Sequence, residues 1–82
     1  DGYIKVLLDI ENYREKREES LVRYANKMAR TAVKQRRNIR LEPMNPYERR
    51  IVHSALQSDS YVTTYSEGEE PFRKVVISVK KQ

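Results

Sequence analysis

Cysteine is absent from this chain of 82 residues, and histidine occurs only once, as His53. Without cysteine the chain can form neither a disulfide nor a thiolate metal site, and the expected location is a reducing compartment, the cytoplasm. A single histidine without a cluster of acidic ligands argues against a metal centre. We therefore expect neither a metal nor another cofactor.

Long apolar runs are also missing. No stretch approaches the roughly 18 apolar residues that span a bilayer, and no signal peptide is visible, so direct membrane insertion is not expected. The chain opens with Asp1, and we expect residues 1–82 to be a single domain of a longer protein. With 38% hydrophobic and 35% charged residues, this domain can bury only a modest core.

Positive charge is concentrated in the middle of the chain. The net charge is +5, but residues 23–50 contain nine basic and only two acidic side chains, which leaves the remaining residues net negative. A segment this basic predicts an anionic partner, such as nucleic acid, a membrane surface or an acidic protein.

Hydrophobic periodicity predicts six elements in the order β-α-β-α-β-β. The alternation in YIKVLLDI predicts a strand within residues 3–10, and apolar residues at helical spacing predict a helix over about 12–36 with Asn12 as its N-cap. NIRLEP predicts a short strand. YVTTYSEG and FRKVVISVK predict two further strands that form a hairpin around the acidic tip EGEEP, residues 67–71.

A second helix is predicted in MNPYERRIVHSALQ. Asn45 suits its N-cap, Pro46 its first helical position and Glu48 a capping box. Because each helix has one apolar stripe, we expect an α+β fold with two helices packed on one face of a three- to four-stranded sheet. The other sheet face, with Lys5, Leu7, Arg40 and Lys74, is either open or docks a neighbouring domain.

One row on the second helix carries the main candidate binding residues. Arg49, His53 and Gln57 recur every four residues and, at about 100° per residue, face away from the predicted core. Arginine can grip a phosphate with two hydrogen bonds, and histidine can donate to phosphate or stack on a base. The row therefore predicts a nucleotide site, with Arg50 beside it. The alternative is an ordinary solvated surface.

The first helix and the strand after it carry further basic residues. The first helix has four basic residues at spacings of four, three and four, namely Arg23, Lys27, Arg30 and Lys34. Three more extend the positive charge toward the next strand, namely Arg36, Arg37 and Arg40. They either attract an anionic ligand or form a solvated helix face. Tyr47, Tyr61 and Tyr65 are either stacking platforms or core residues.

A hydrolase is not expected. His53 has no carboxylate one helical turn away to orient it, because Arg49 and Gln57 occupy those positions. The sequence also offers no cysteine nucleophile. We therefore predict a binding module that is not an enzyme.

The segment YERRIVH resembles the signature of the R-three-H domain, which is named for an arginine and a histidine in the pattern Arg-x-x-x-His. These match Arg49 and His53. ENYREKREESL, LEPMNPYERRIVHSALQ and TYSEGEEPFRKVVI resemble the C-terminal domain of the bacterial Jag proteins, also called SpoIIIJ-associated proteins, over residues 11–77. The resemblance implies a small α+β fold that binds single-stranded nucleic acid. A KH domain lies upstream in Jag-type proteins, so RNA is expected over DNA.

The same resemblance leaves two assignments open. Residues 1–10 are either part of this sheet or the last strand of an upstream KH domain. The function expected is binding of single-stranded RNA or DNA with weak sequence preference, Arg49 holding phosphate and His53 supporting it. The alternative is a protein-interaction module of a larger bacterial RNA-associated protein, which would use the acidic tip or the open sheet face.

Overall fold

The computed structural model describes the backbone of residues 2–80 and the side chains of residues 14–80. Its elements are α1 Gly2–Gln35, β1 Ile39–Arg40, α2 Pro46–Leu56, β2 Val62–Glu67 and β3 Lys74–Val79. The α+β class is as predicted, and the sheet has three strands. Among residues 2–80, neither helix combines the length and the apolar character that crossing a membrane requires.

The strand predicted within residues 3–10 is wrong, because α1 begins at Gly2 and continues to Gln35. Asn12 therefore lies inside a helix instead of capping one, and Lys5, which a strand would have placed in the sheet, is helical. Neither glycine nor proline occurs in residues 3–35, so α1 contains no helix-breaking residue after Gly2. Whether residues 1–10 belong to a preceding domain stays a prediction.

The sheet is antiparallel, with the strand order β1-β3-β2. β2 and β3 form the predicted hairpin, and β1 pairs with the other edge of β3. β3 is central, so Val75 and Ile77 are fully buried in the core. Val76 faces the opposite side of the sheet and is also buried, with Arg40 and Tyr65 opposite it on the two neighbouring strands.

The hydrophobic core lies between the two helices and one face of the sheet. On α1 the fully buried residues are Leu21, Ala25, Ala29 and Ala32, and on α2 they include Val52 and Leu56. The three alanines present little side chain, which lets α1 approach the other elements closely. Met28, the neighbour of Ala29, is only partly buried and packs against the edge of this core.

The start of α2 is built as predicted. The Glu48 N–H donates to Oδ1 of Asn45 at 2.8 Å, and the Asn45 N–H donates to Oε1 of Glu48 at 3.2 Å, which forms a complete capping box. Arg17 of α1 donates Nε–H to the same carboxylate at 2.9 Å and joins the two helices. Burial alone would raise the pKa of Glu48, but the hydrogen bonds from Arg17 and Asn45 lower it overall.

The end of α1 turns sharply at Arg36, whose φ of 56° lies in the left-handed region. The Arg36 N–H donates to the carbonyl of Val33 at 3.2 Å, and the Arg37 N–H donates to the carbonyl of Ala32 at 3.1 Å. These two bonds are those of a Schellman motif, in which the left-handed position is usually glycine. The turn directs the chain from α1 into β1.

Candidate functional site

A groove of about 570 Å³ lies between α2 and β2 and is called here the α2–β2 groove. The predicted binding residues that line it are Arg49, Arg50, His53 and Gln57. β2 and the residue that follows β3 supply lining residues that were not predicted, namely Thr64, Ser66 and Lys80. The row predicted on α2 is therefore one wall of a groove, and β2 forms the other wall.

Arg49 is buried, although the sequence predicted that it faces solvent. Its side chain is 9% exposed. Nη1 donates to the Met44 carbonyl at 2.6 Å, and Nη2 donates to the Glu70 carboxylate in an ion pair. Arg49 lies away from the apolar stripe of α2, but the loop between β2 and β3 covers that side of the helix. Arg49 therefore joins the start of α2 to the acidic tip.

The acidic tip is partly engaged within the molecule. The hydrogen bond from Arg49 lowers the pKa of Glu70, and this effect exceeds the opposing effect of burial. Arg73 donates to the carbonyl of Gly68, whose φ of 95° suits glycine at this turn. The ion pair between Arg49 and Glu70 joins this loop to α2.

His53 is held by two hydroxyl groups of β2. Its Nδ1 lies 2.7 Å from Oγ1 of Thr64, and its Nε2 lies 2.9 Å from Oγ of Ser66. Burial, and to a smaller extent the positive charge of Arg49, lowers the pKa of His53 below its ordinary value of 6.5. The ring is therefore mainly neutral at pH 7 and has no ring nitrogen free for a ligand.

Exposed cations border the groove. Arg50 on α2 is exposed, as is Lys80, whose Nζ donates to the carbonyl of Asp59 at 3.1 Å. Gln57, also exposed, adds an amide that can donate and accept hydrogen bonds. The accessible positive charge of the α2–β2 groove thus comes mainly from Arg50 and Lys80, because Arg49 lines the groove with a side chain that is largely buried.

The remaining predicted binding residues lie outside the groove. Arg30 and Lys34 line a separate cleft beside α1 together with Tyr61. Arg40 on β1 donates Nε–H to Glu67 on β2 at 2.9 Å, and this exposed ion pair spans β3. Arg40 therefore belongs to the edge of the sheet opposite β2, away from the groove. Arg36 and Arg37, two more of these residues, are exposed in the turn after α1. The structure therefore does not bring the full predicted set together.

The tyrosines predicted as either core or stacking residues are exposed. The exposed fractions are 54% for Tyr47, 55% for Tyr61 and 45% for Tyr65, so the core interpretation is wrong for all three. Tyr47 donates its hydroxyl to Glu18 at 3.3 Å. Of the three, Tyr61 is the one that shares a cleft with the predicted cations Arg30 and Lys34.

The R-three-H domain family matches residues 19–79, a segment that contains both signature residues, Arg49 and His53, and every lining residue of the α2–β2 groove except Lys80. The chain belongs to the R-three-H domain family. The family predicted from YERRIVH is thus confirmed.

Curated relatives of this R-three-H chain are considerably longer. It is 58% identical over 80 residues to the RNA-binding protein KhpB of Clostridium symbiosum, a match that covers 98% of this chain and 36% of that protein. It is 43% identical over 81 residues to the RNA-binding protein KhpB of Bacillus subtilis, covering 96% and 39%. The chain thus spans less than half the length of these relatives.

Proposed function

We propose that this R-three-H domain binds single-stranded nucleic acid, preferentially RNA, without catalysing a reaction. The observation that carries the proposal is the α2–β2 groove, which places the family's signature residues next to the exposed cations Arg50 and Lys80. The name RNA-binding protein, borne by relatives that match nearly the whole chain, supports RNA as the ligand.

Within the groove, each residue has a distinct role. Arg50 and Lys80 neutralise phosphates of the bound strand, a contact that is independent of sequence. Gln57 offers its amide to the ligand. Arg49 joins the start of α2 to the β2–β3 loop through its bonds to Met44 and Glu70. It therefore acts mainly by positioning α2 and the loop, and not by binding phosphate directly as the sequence predicted.

The proposed interface continues from the groove to the cleft beside α1. The backbone N–H of Lys80 donates to the carbonyl of Tyr61 at 2.9 Å, so a residue of the groove is bonded to a residue of the cleft. Tyr61 can stack on a base, while Arg30 and Lys34 attract the backbone. Arg36 and Arg37 add charge nearby, and Arg40 adds least because Glu67 neutralises it.

Binding without catalysis is supported by the surroundings of His53. Its ring nitrogens contact two hydroxyl groups and no carboxylate, so no acidic group orients the ring as a general base. Among residues 14–80, no three histidine, aspartate or glutamate side chains are grouped so that they could hold a metal ion. The alternative, a protein-interaction module, is not favoured by the names of the relatives.

For the whole protein, we propose a larger bacterial RNA-associated chain with a KH domain upstream of this R-three-H domain, located in the cytoplasm. The greater length of the relatives leaves room for such a domain. A partner protein at the acidic tip or the outer sheet face remains compatible with this arrangement, because the proposed RNA path uses neither the exposed Phe72 nor Tyr65.

The test is a fluorescence anisotropy titration of a labelled oligouridine at several salt concentrations. Arg50→Ala should weaken binding by roughly 1 kcal/mol and make the slope of log affinity against log salt about 0.7 shallower, because one phosphate contact is lost on a single strand. Lys16→Ala is the matched control, since Lys16 is an exposed cation on α1 outside the groove. If Lys16→Ala weakens binding as much as Arg50→Ala, the α2–β2 groove is not the site.

A further inference from the structure

His53 contacts the hydroxyl groups of Thr64 and Ser66, and this contact limits the hydrogen bonds that each hydroxyl can make with a bound nucleic acid. Resting on the proposed function, we propose that Thr64 and Ser66 contact the bound strand directly and that, with His53 as their positioning residue, they select RNA over DNA by accepting a hydrogen bond from a ribose 2′-hydroxyl.

A neutral imidazole has one N–H donor and one bare nitrogen that accepts. His53 places these two nitrogens against two hydroxyl groups, at 2.7 Å and 2.9 Å. The hydroxyl that accepts from the ring N–H keeps its own hydrogen for another partner. The hydroxyl that donates to the bare nitrogen has only lone pairs left. Either tautomer gives this result, with Thr64 and Ser66 exchanging roles.

Both hydroxyl groups are within reach of a ligand. Thr64 and Ser66 are partly exposed and line the α2–β2 groove. They occupy alternate positions of β2, so they lie on one face of the strand, roughly 6.6 Å apart at the backbone. We expect separate groups of the nucleic acid to contact them, one facing the hydroxyl that can donate and the other facing the hydroxyl that can only accept.

RNA and DNA differ in what they offer to such a pair. The sugar-phosphate backbone of DNA presents only acceptors, whereas each ribose of RNA adds a 2′-hydroxyl that can donate. In RNA the hydroxyl that keeps its hydrogen donates to a phosphate oxygen, and the lone-pair hydroxyl accepts from a 2′-hydroxyl. In DNA the hydroxyl that has only lone pairs left would face another acceptor or no partner, and an unsatisfied polar group lowers affinity. Bases present the same groups in both ligands when their sequence is matched.

The exposed cations of the groove discriminate less sharply. Arg50 and Lys80 are donors, and the phosphates of RNA and DNA offer them the same charged acceptors. An acceptor in the groove depends on the 2′-hydroxyl, because the DNA backbone offers it no donor. Gln57 also has an acceptor, but its exposed amide can turn its donor side to the ligand instead. The hydroxyl fixed by His53 has no such freedom while the ring is neutral.

The experiment compares oligouridine with oligodeoxyuridine of equal length, because these ligands differ only at the 2′ position. The wild-type chain should bind oligouridine about three- to tenfold more tightly, the effect of one hydrogen bond. Thr64→Val/Ser66→Ala should bind both ligands with nearly equal affinity. Thr64→Ser keeps the hydroxyl and should keep the preference. Ser78→Ala removes a hydroxyl from β3, outside the groove, and should change nothing.

A second ligand tests the idea with the unaltered protein. Oligouridine methylated at every 2′ oxygen keeps the ribose but loses the donor, and wild type should bind it as weakly as oligodeoxyuridine. Equal wild-type affinity for oligouridine and oligodeoxyuridine, or an RNA preference that survives in Thr64→Val/Ser66→Ala, would overturn the selectivity but leave the proposed binding intact. If wild type binds neither ligand, the proposed function itself is wrong.

Discussion

At Arg49, the direction of a side chain on its own helix does not determine whether water reaches it. The residue points away from the apolar stripe of α2, as the spacing predicted, but a loop far along the chain covers it. Glu70, its ion-pair partner, lies 21 residues away in the sequence. Nothing in the sequence pairs these two residues, because the contact depends on how the hairpin packs against α2.

The buried position of Arg49 gives a prediction about stability. Arg49→Ala should lower the free energy of unfolding by about 2–3 kcal/mol, because it removes the donor to the buried Met44 carbonyl and the partner of Glu70. Glu70 is half-exposed, so we expect most of the loss to come from Met44 and from packing. Urea denaturation followed by circular dichroism measures the change.

Two variants provide the comparison for Arg49→Ala. Arg50→Ala truncates the neighbouring exposed arginine and should change stability by less than about 0.5 kcal/mol. Arg49→Lys keeps the charge but cannot bridge two partners as the guanidinium does, so it should lie between wild type and Arg49→Ala. Equal stabilities of Arg49→Ala and Arg50→Ala would show that Arg49 is a surface residue after all.

At the level of single residues, the sequence predicted one wall of the groove and missed the other. Arg50, His53 and Gln57 could be placed together from helical spacing alone. Thr64 and Ser66 follow the alternation of a strand, but a sequence does not show which helix that strand faces. Their only signal was two hydroxyl residues on one face of β2. Contacts within an element are predictable, whereas contacts between elements depend on tertiary packing.

The helices and strands were also predicted correctly where local sequence signals determine them. α2 and all three strands lie close to their predicted positions because capping residues, turn residues and alternation are local signals. The segment YIKVLLDI is the exception, since an alternating run of this length can be part of a helix as well as a strand. A strand also needs a partner, and within residues 2–80 the sheet is made only of β1, β2 and β3.

The end of α1 provides a prediction at the level of the element. Arg36 adopts a left-handed conformation that disfavours residues with a Cβ. Arg36→Gly should therefore raise the free energy of unfolding by about 0.5–1 kcal/mol, since the relief of strain exceeds the added flexibility of the unfolded chain. Thermal and urea denaturation of the variant measure the change.

The next residue serves as the control for Arg36→Gly. Arg37→Gly removes the same charge one position later, where φ is not positive, so it should not stabilise the fold. If both variants stabilise equally, the gain comes from lower positive charge and not from the helix end. If neither stabilises, the conformation of Arg36 is not strained in solution.

For the whole molecule, acidification should affect folding and binding in opposite directions. Burial and Arg49 lower the pKa of His53, so the unfolded chain takes up a proton more readily than the folded one. The stability that this provides is present above the ordinary pKa of 6.5 and is lost as the pH falls through the lower folded value. The lowered pKa values of Glu48 and Glu70 act in the same direction, below their ordinary value of 4.5.

Binding of oligouridine should instead strengthen over the range in which His53 becomes charged. A protonated ring adds a positive charge to a groove that already holds Arg50 and Lys80. It also donates through both nitrogens, so the hydroxyl groups of Thr64 and Ser66 both become free to donate to phosphate. Arg49 opposes this protonation, while Glu70 is held in its own ion pair. The increase should therefore begin below pH 6.5, lower than for an exposed histidine.

The measurement pairs urea unfolding with oligouridine titration at fixed salt across about pH 8 to 4, for wild type and His53→Gln. Wild type should lose stability below about pH 6.5, before the loss that follows from the carboxylates, and should gain affinity per folded molecule over the same range. His53→Gln cannot titrate and should show neither change there. If its two profiles match those of wild type, protonation of His53 controls neither folding nor binding. If wild type alone gains affinity without losing stability, the ring is more exposed than its contacts with Thr64 and Ser66 imply.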